Sequence, residues 1–99
     1  MMNIKEKNKK TQEELVQETA TFYFLNSKFD EAIDEFKKVL KLNPANIEAY
    51  CSLGLIYENK KQPEEAKKMY EKTLLLDKNN KVAKEHLNKL IGIKDDEQD

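Results

Sequence analysis

At 99 residues the chain has room for one small domain and not for two. Charged residues make up 37% of it and apolar residues 38%, with only two Gly and two Pro, a balance that selects long solvated helices over turn-rich sheets. The net charge of −1 excludes a global field aimed at nucleic acid, a membrane surface or a strongly acidic substrate. Because all 18 basic residues are lysine, the planar two-point recognition of phosphate that arginine provides is excluded as well.

The predicted elements, in chain order, begin with a Lys-rich arm over residues 1–10 that has no apolar run of a leader peptide. Thr11 and Glu14 stand at capping-box spacing and start a helix over 12–25, in which Val16, Thr19, Ala20 and Tyr23 recur at three- and four-residue steps. Asn26-Ser27-Lys28 breaks it. A second helix over 29–41 carries the stripe Phe29, Ala32, Ile33, Phe36 and Leu40. Asn43-Pro44 reads as an N-cap followed by Pro at the first helical position, which opens a third helix over 44–58. After Asn59-Lys60-Lys61-Gln62 a fourth helix covers 63–76, and after Asp77 to Asn80 a fifth covers 80–92. The fifth has one apolar stripe of Ala83, Leu87 and Ile91, and Lys81, Lys84, Glu85, Asn88 and Lys89 make the rest of it wet. Residues 94–99 form an acidic tail.

The helices pair by repetition. At a spacing of 34 residues Tyr23 falls on Tyr57, Ala32 on Ala66, Phe36 on Tyr70 and Ala20 on Gly54. Small residues at Ala20, Gly54, Ala32 and Ala66 let two backbones approach, while Tyr23, Phe36, Tyr57 and Tyr70 fill the space beside them. The second unit reads Tyr50, Leu53, Gly54, Tyr57, Ala66, Tyr70 and the first reads Val16, Thr19, Ala20, Tyr23, Ala32, Phe36, Pro44. This pattern resembles the tetratricopeptide repeat (TPR) family, with departures at Thr19, Ala20 and Lys78, the last standing where a second closing Pro would fall.

The resemblance implies an all-α solenoid of two antiparallel helix pairs plus a solvating C-terminal helix. The domain spans 11–93, with repeats at about 13–46 and 47–80 and a capping helix at about 80–92. In the family the first helix of each pair lines a concave groove that binds peptides or helices. Carried over, that places Gln17, Thr21, Phe24 and Leu25 from the first helix beside Glu48, Cys51, Ser52, Leu55, Glu58 and Asn59 from the third. Val82, Glu85, His86 and Lys89 form the far wall. The family's carboxylate clamp, which grips acidic chaperone tails with Lys, Asn and Arg, is replaced here by Gln17, Thr21, Ser52, Val82 and His86, so no such tail is expected. The expected centre is apolar, Phe24 with Cys51 and Leu55, flanked by Gln17, Glu48, Glu58 and Lys89.

Other chemistry is thinly represented. One Cys and one His cannot make a four-ligand zinc site, and no Lys or His lies within a helical turn of Cys51 to activate it, so it reads as a small half-buried apolar residue. His86 reads as a solvated residue without a second ligand or base. The acidic pairs Glu13-Glu14, Asp30-Glu31, Asp34-Glu35 and Glu64-Glu65 serve helix starts and outer faces, not acid/base chemistry. Expectation is therefore a cytoplasmic, non-catalytic adaptor with a protein or peptide partner and no cofactor, metal or nucleic acid. The alternative is self-association to a homodimer, since two repeats give a thin core. The oppositely charged ends, Lys5, Lys7, Lys9, Lys10 and Asp95, Asp96, Glu97, Asp99, read as solvated termini.

Overall fold

A polar chain with so few helix breakers can bury its apolar residues only by stacking helices along their stripes, and that is what it does. The computed structural model describes residues 9–92 and holds five helices: α1 Gln12–Leu25, α2 Phe29–Leu42, α3 Ile47–Asn59, α4 Pro63–Leu76 and α5 Lys81–Leu90. No strand occurs among the described residues. α1 packs on α2 and α3 on α4, α2 meets α3 between the pairs, and α5 lies on α4 with an edge against α3. The runs at residues 1–8 and 93–99, which include Lys5, Lys7 and the acidic tail, lie outside the described residues.

One core cluster is built from Ala20, Ala32, Ile33, Phe36, Val39, Ala49, Leu53 and Ile56, and a second from Ala66, Tyr70 and Ala83. Half-buried Tyr57 packs against both and joins them. The tightest point is Gly54, where an added Cβ would stand 2.5 Å from Cε1 of Tyr70 and 2.8 Å from two more ring atoms. Tyr70 is fully buried and its ring cannot slide, because its hydroxyl donates to Glu58 Oε1 at 2.5 Å. The matching pair in the first repeat is Ala20 and Phe36, both fully buried. Phe36 has no hydroxyl to anchor, and there a methyl is accommodated.

The turns repeat as faithfully as the core. In both pairs the first helix ends in a Schellman motif: Lys28 N–H donates to Tyr23 O at 2.8 Å and Ser27 N–H to Phe24 O at 3.0 Å, then Gln62 N–H to Tyr57 O at 2.9 Å and Lys61 N–H to Glu58 O at 3.0 Å. Ser27 and Lys61 accordingly take φ of 58° and 63°, a left-handed conformation usually left to glycine.

Between pairs the sequence expectation is corrected. α3 begins at Ile47, not at residue 44, and its N-cap is Asn46, whose side chain accepts from Ala49 N–H at 2.8 Å. Asn43 instead closes α2, and its Oδ1 accepts from Ala45 N–H at 3.0 Å, so Pro44 sits inside a side-chain-supported turn. The counterpart Asp77-Lys78-Asn79-Asn80 is built alike: Asn79 N–H donates to Asp77 Oδ1 at 3.3 Å and Asn80 caps α5 through Ala83 N–H at 3.0 Å. Lys78 can replace the proline because the turn is held by the Asn or Asp before it. The proline at a first helical turn is Pro63, which opens α4. At the start of α1, the Thr11–Glu14 capping box is present in both directions.

Chemical denaturation followed by far-ultraviolet circular dichroism tests these contacts. Gly54→Ala gains helix propensity but overpacks Tyr70, and should lower stability by about 1–3 kcal/mol. That cost should shrink when Tyr70→Phe frees the ring. Asn80→Ala should cost about 1 kcal/mol as a lost cap. Asn46→Ala should cost clearly more, because its side-chain amide also donates to Glu13 and Gln17.

Candidate functional site

The side chains that bridge α1 and α3 define one shared face. Asn46, fixed by capping α3, donates through Nδ2 to Glu13 Oε2 at 2.7 Å and to Gln17 Oε1 at 2.6 Å. Asn43 Nδ2 donates to the same Glu13 oxygen at 2.8 Å. Gln17 in turn donates through Nε2 to Glu48 Oε1 at 2.7 Å. These amides hold the Glu13 carboxyl below its ordinary range, the Asn43 bond contributing most. The network orients Gln17 and Glu48, both named from sequence, toward one another across the two helices.

Beside it lies a shallow depression of about 510 Å³ lined by Lys10, Glu14, Gln17, Glu18, Thr21, Phe22, Leu25 and Glu48. Its apolar part is Phe22, 61% exposed, with Leu25, 76% exposed, and Leu15 on the same helix is 52% exposed. Lys10 pairs with Glu18 at the rim. Of the residues named from sequence, Gln17, Thr21, Leu25 and Glu48 line this depression. Phe22, Glu14, Glu18 and Lys10 are additions to the sequence reading.

Phe24 is elsewhere. Its ring is half-buried 6.3 Å from that of Phe29, on the side of α1 that faces α2, and it packs against the first core cluster. The apolar centre expected at Phe24, Cys51 and Leu55 is therefore not the exposed one: Leu55 packs against the second cluster, and Cys51 is half-buried. Burial, with the nearby Glu48 charge, pushes the Cys51 thiol up, which works against nucleophilic chemistry. Ser52 is half-buried, while Glu85 and Lys89 are exposed on α5.

A second polar cluster joins three helices. Glu58 Oε1 on α3 accepts from Tyr70 on α4 and stands 2.6 Å from His86 Nδ1 on α5, with the Tyr70 and His86 rings 5.6 Å apart. A carboxylate only accepts, so the imidazole carries its proton on Nδ1. Burial first, then Glu58, raises the Tyr70 hydroxyl far above the ordinary phenol range. Glu58 is thereby fastened to the fold, and His86, expected to be simply solvated, is held by it. A smaller depression of about 280 Å³ opens over them, lined by Leu55, Glu58, Asn59, Lys61 and His86. No group of three or more His, Cys, Asp or Glu that could hold a metal occurs among the described residues, and no helix among them is long and apolar enough to cross a membrane.

Comparison with known proteins meets this geometry. A family model described as TPR repeat matches residues 22–61 and one described as tetratricopeptide repeat matches residues 47–80. The chain is 40% identical over 62 residues to the tetratricopeptide repeat domain-containing protein PYG7, chloroplastic, of Arabidopsis thaliana, a stretch covering 63% of this chain and 21% of that protein. It is 35% identical over 65 residues to a protein O-mannosyl-transferase of Caenorhabditis elegans, covering 66% of this chain and 9% of that protein. The chain thus spans about a fifth and less than a tenth of these two curated relatives.

Among solved structures, the Arabidopsis OM64 TPR domain superposes with a TM-score of 0.76 at 21% identity, covering 81% of this chain and 66% of that one. The MamA protein gives 0.77 at 25%, covering 87% and 49%. The first TPR of Spaghetti (RPAP3), solved with the HSP90 peptide SRMEEVD, gives 0.50 at 24%, covering 82% and 91%. TPR repeats are generally non-catalytic and generally bind protein partners. With its small-against-aromatic contacts recurring at a 34-residue spacing, its paired helices and its matches to both repeat models, the chain belongs to the tetratricopeptide repeat family.

Proposed function

We propose that this chain is a non-catalytic interaction module that binds a peptide or helix of a partner protein in the groove lined by α1 and α3. The observation that carries the reading is the coincidence of exposed Phe22 and Leu25 with an ordered polar rim, Gln17 bonded to Glu48, in one depression. Exposed apolar groups ringed by polar ones supply the two ingredients of a docking site, area to bury and hydrogen bonds to orient. α5 contributes Val82, Glu85 and Lys89 as the other wall.

An acidic chaperone tail is not the ligand under this reading. Gln17, Thr21 and Ser52 offer no positive charge, and Glu48 beside Gln17 repels a carboxylate. That the RPAP3 domain was solved with such a peptide belongs to that domain. Titration calorimetry with an EEVD-ending peptide should show no micromolar binding.

A second reading, self-association, draws on the exposed Leu15, Phe22 and Leu25 of α1, which a second copy would bury. Light scattering across a concentration series checks it: a mass that stays monomeric into the high micromolar range removes it.

The groove reading is tested by affinity capture from the source organism. Phe22→Glu and Leu25→Glu, both at exposed positions, should leave the thermal melt within a few degrees of the parent and abolish capture of the partner. Capture undiminished by either change overturns the reading. Phe24→Glu and Leu55→Glu are poor probes, since each places a charge against the core and should lower stability by about 2 kcal/mol or more.

A further inference from the structure

The lysines are unevenly placed. Of 18 in the chain, none lies in α1 or α3, the two helices whose side chains meet through Gln17 and Glu48. α1 carries Glu13, Glu14 and Glu18, and α3 carries Glu48 and Glu58. α2 and α4, by contrast, set Lys37, Lys38 and Lys41, and Lys67, Lys68 and Lys72, against their own acids. Among the five helices the acidic excess is therefore largest on α1 and α3, in a chain that is close to neutral overall.

The hydrogen bonds on that face orient the carboxylates without cancelling them. Glu13 accepts from the Asn43 and Asn46 amides, Glu14 from the Thr11 backbone N–H at 2.8 Å, and Glu48 from the Gln17 amide. Such donors are neutral, so they add no positive charge to the face, and at Glu13 they favour the ionised form. Lys10 offsets Glu18 alone. Within the depression three carboxylates, Glu14, Glu18 and Glu48, thus face one ammonium around the exposed Phe22 and Leu25. From Glu14 to Leu25 the α1 face runs roughly 16 Å at 1.5 Å per residue, the length of about three helical turns.

We infer that the occupant of this depression is a partner's amphipathic helix whose apolar stripe is flanked by lysine or arginine. The inference rests on the groove reading and names the chemistry of its ligand. Phe22 and Leu25 take up the apolar stripe, and the flanking cations meet Glu14, Glu18 and Glu48. Charge complementarity chooses between occupants. An acidic segment would set like charge against like, and a second copy docked α1 to α1 would bring the glutamates of one copy toward those of the other.

The test uses the full chain and three synthetic 14-residue peptides: a helix former with leucine on one face and lysine on both flanks, its glutamate-for-lysine counterpart, and the lysine peptide with its residues in scrambled order. Titration calorimetry should show the ordered lysine helix binding at least about tenfold more tightly than either of the others. Glu14→Gln with Glu18→Gln, which keeps a capping side chain at position 14, should weaken it about tenfold, and raising salt from about 50 to 300 mM should weaken it similarly. Phe22→Glu should remove it.

Equal binding of the scrambled peptide would mean mere adhesion of a polycation and would overturn the inference. So would indifference to the paired Gln changes, or no binding by the ordered lysine helix. Binding of the glutamate helix that is lost in Phe22→Glu would overturn the charge assignment while leaving the groove as the docking place. The groove reading itself falls only on the capture experiment.

Discussion

The structure depends on how closely two helices of a pair can approach. At Gly54 the Tyr70 ring lies where a methyl group would be, so the α3 backbone and the α4 aromatic are in direct contact. That contact buries Tyr70 completely, and a buried phenol needs an acceptor. Glu58, one turn beyond Gly54 on α3, provides it, and the same oxygen takes the Nδ1–H of His86 and so ties α5 to the second repeat. One missing Cβ therefore reaches from helix spacing to the attachment of the last helix. In the first repeat Ala20 and Phe36 make the contact without a hydroxyl, and no carboxylate is committed there.

This demand for acceptors divides the polar groups on and around α1 and α3 into two kinds. Glu58 and His86, Asn46 and Glu13 are held by bonds the fold requires, whether to satisfy a buried hydroxyl or to join the α2–α3 turn to α1. Glu14 closes the α1 capping box, Glu18 pairs with Lys10 and Glu48 accepts from Gln17, but none of them satisfies a buried hydroxyl, and they are the ones beside exposed Phe22 and Leu25. A side chain in the first group cannot be recruited by a ligand without loosening helix packing. The second group can meet a ligand without uncovering a buried group.

Much of the fold was legible because packing leaves a periodic trace. Tyr23 and Tyr57, Ala32 and Ala66, and Phe36 and Tyr70 recur at 34 residues because each pair must solve the same spacing problem, and the helix limits followed to within a few residues. The start of α3 was misread for a specific reason. An Asn followed by Pro fits both an N-cap with proline at the first helical position and a turn with proline second, and local chemistry does not separate them. The second repeat does, since Asp77-Lys78 forms the same turn with no proline. The site was less legible. In Phe22-Tyr23-Phe24-Leu25 each residue points about 100° from the next, so a shift of two positions exchanges core for surface. Phe24 is half-buried beside the ring of Phe29, which lies across a turn that sequence periodicity does not orient.

Order on the α1–α3 face also bears on how a partner could bind there. A surface of mobile glutamates would lose side-chain entropy on docking, of the order of 1 kcal/mol for each one immobilised. Here Glu48 is already held by Gln17, which is held by Asn46, which is fixed in place by capping α3. The entropy of fixing that rim has been spent in folding, where the cap and the α1–α3 contact repay it. A ligand then meets a carboxylate in one defined position beside an exposed apolar pair, Phe22 and Leu25. Under the proposed reading, register comes from the carboxylate that Asn46 orders through Gln17, and area from the exposed apolar pair beside it.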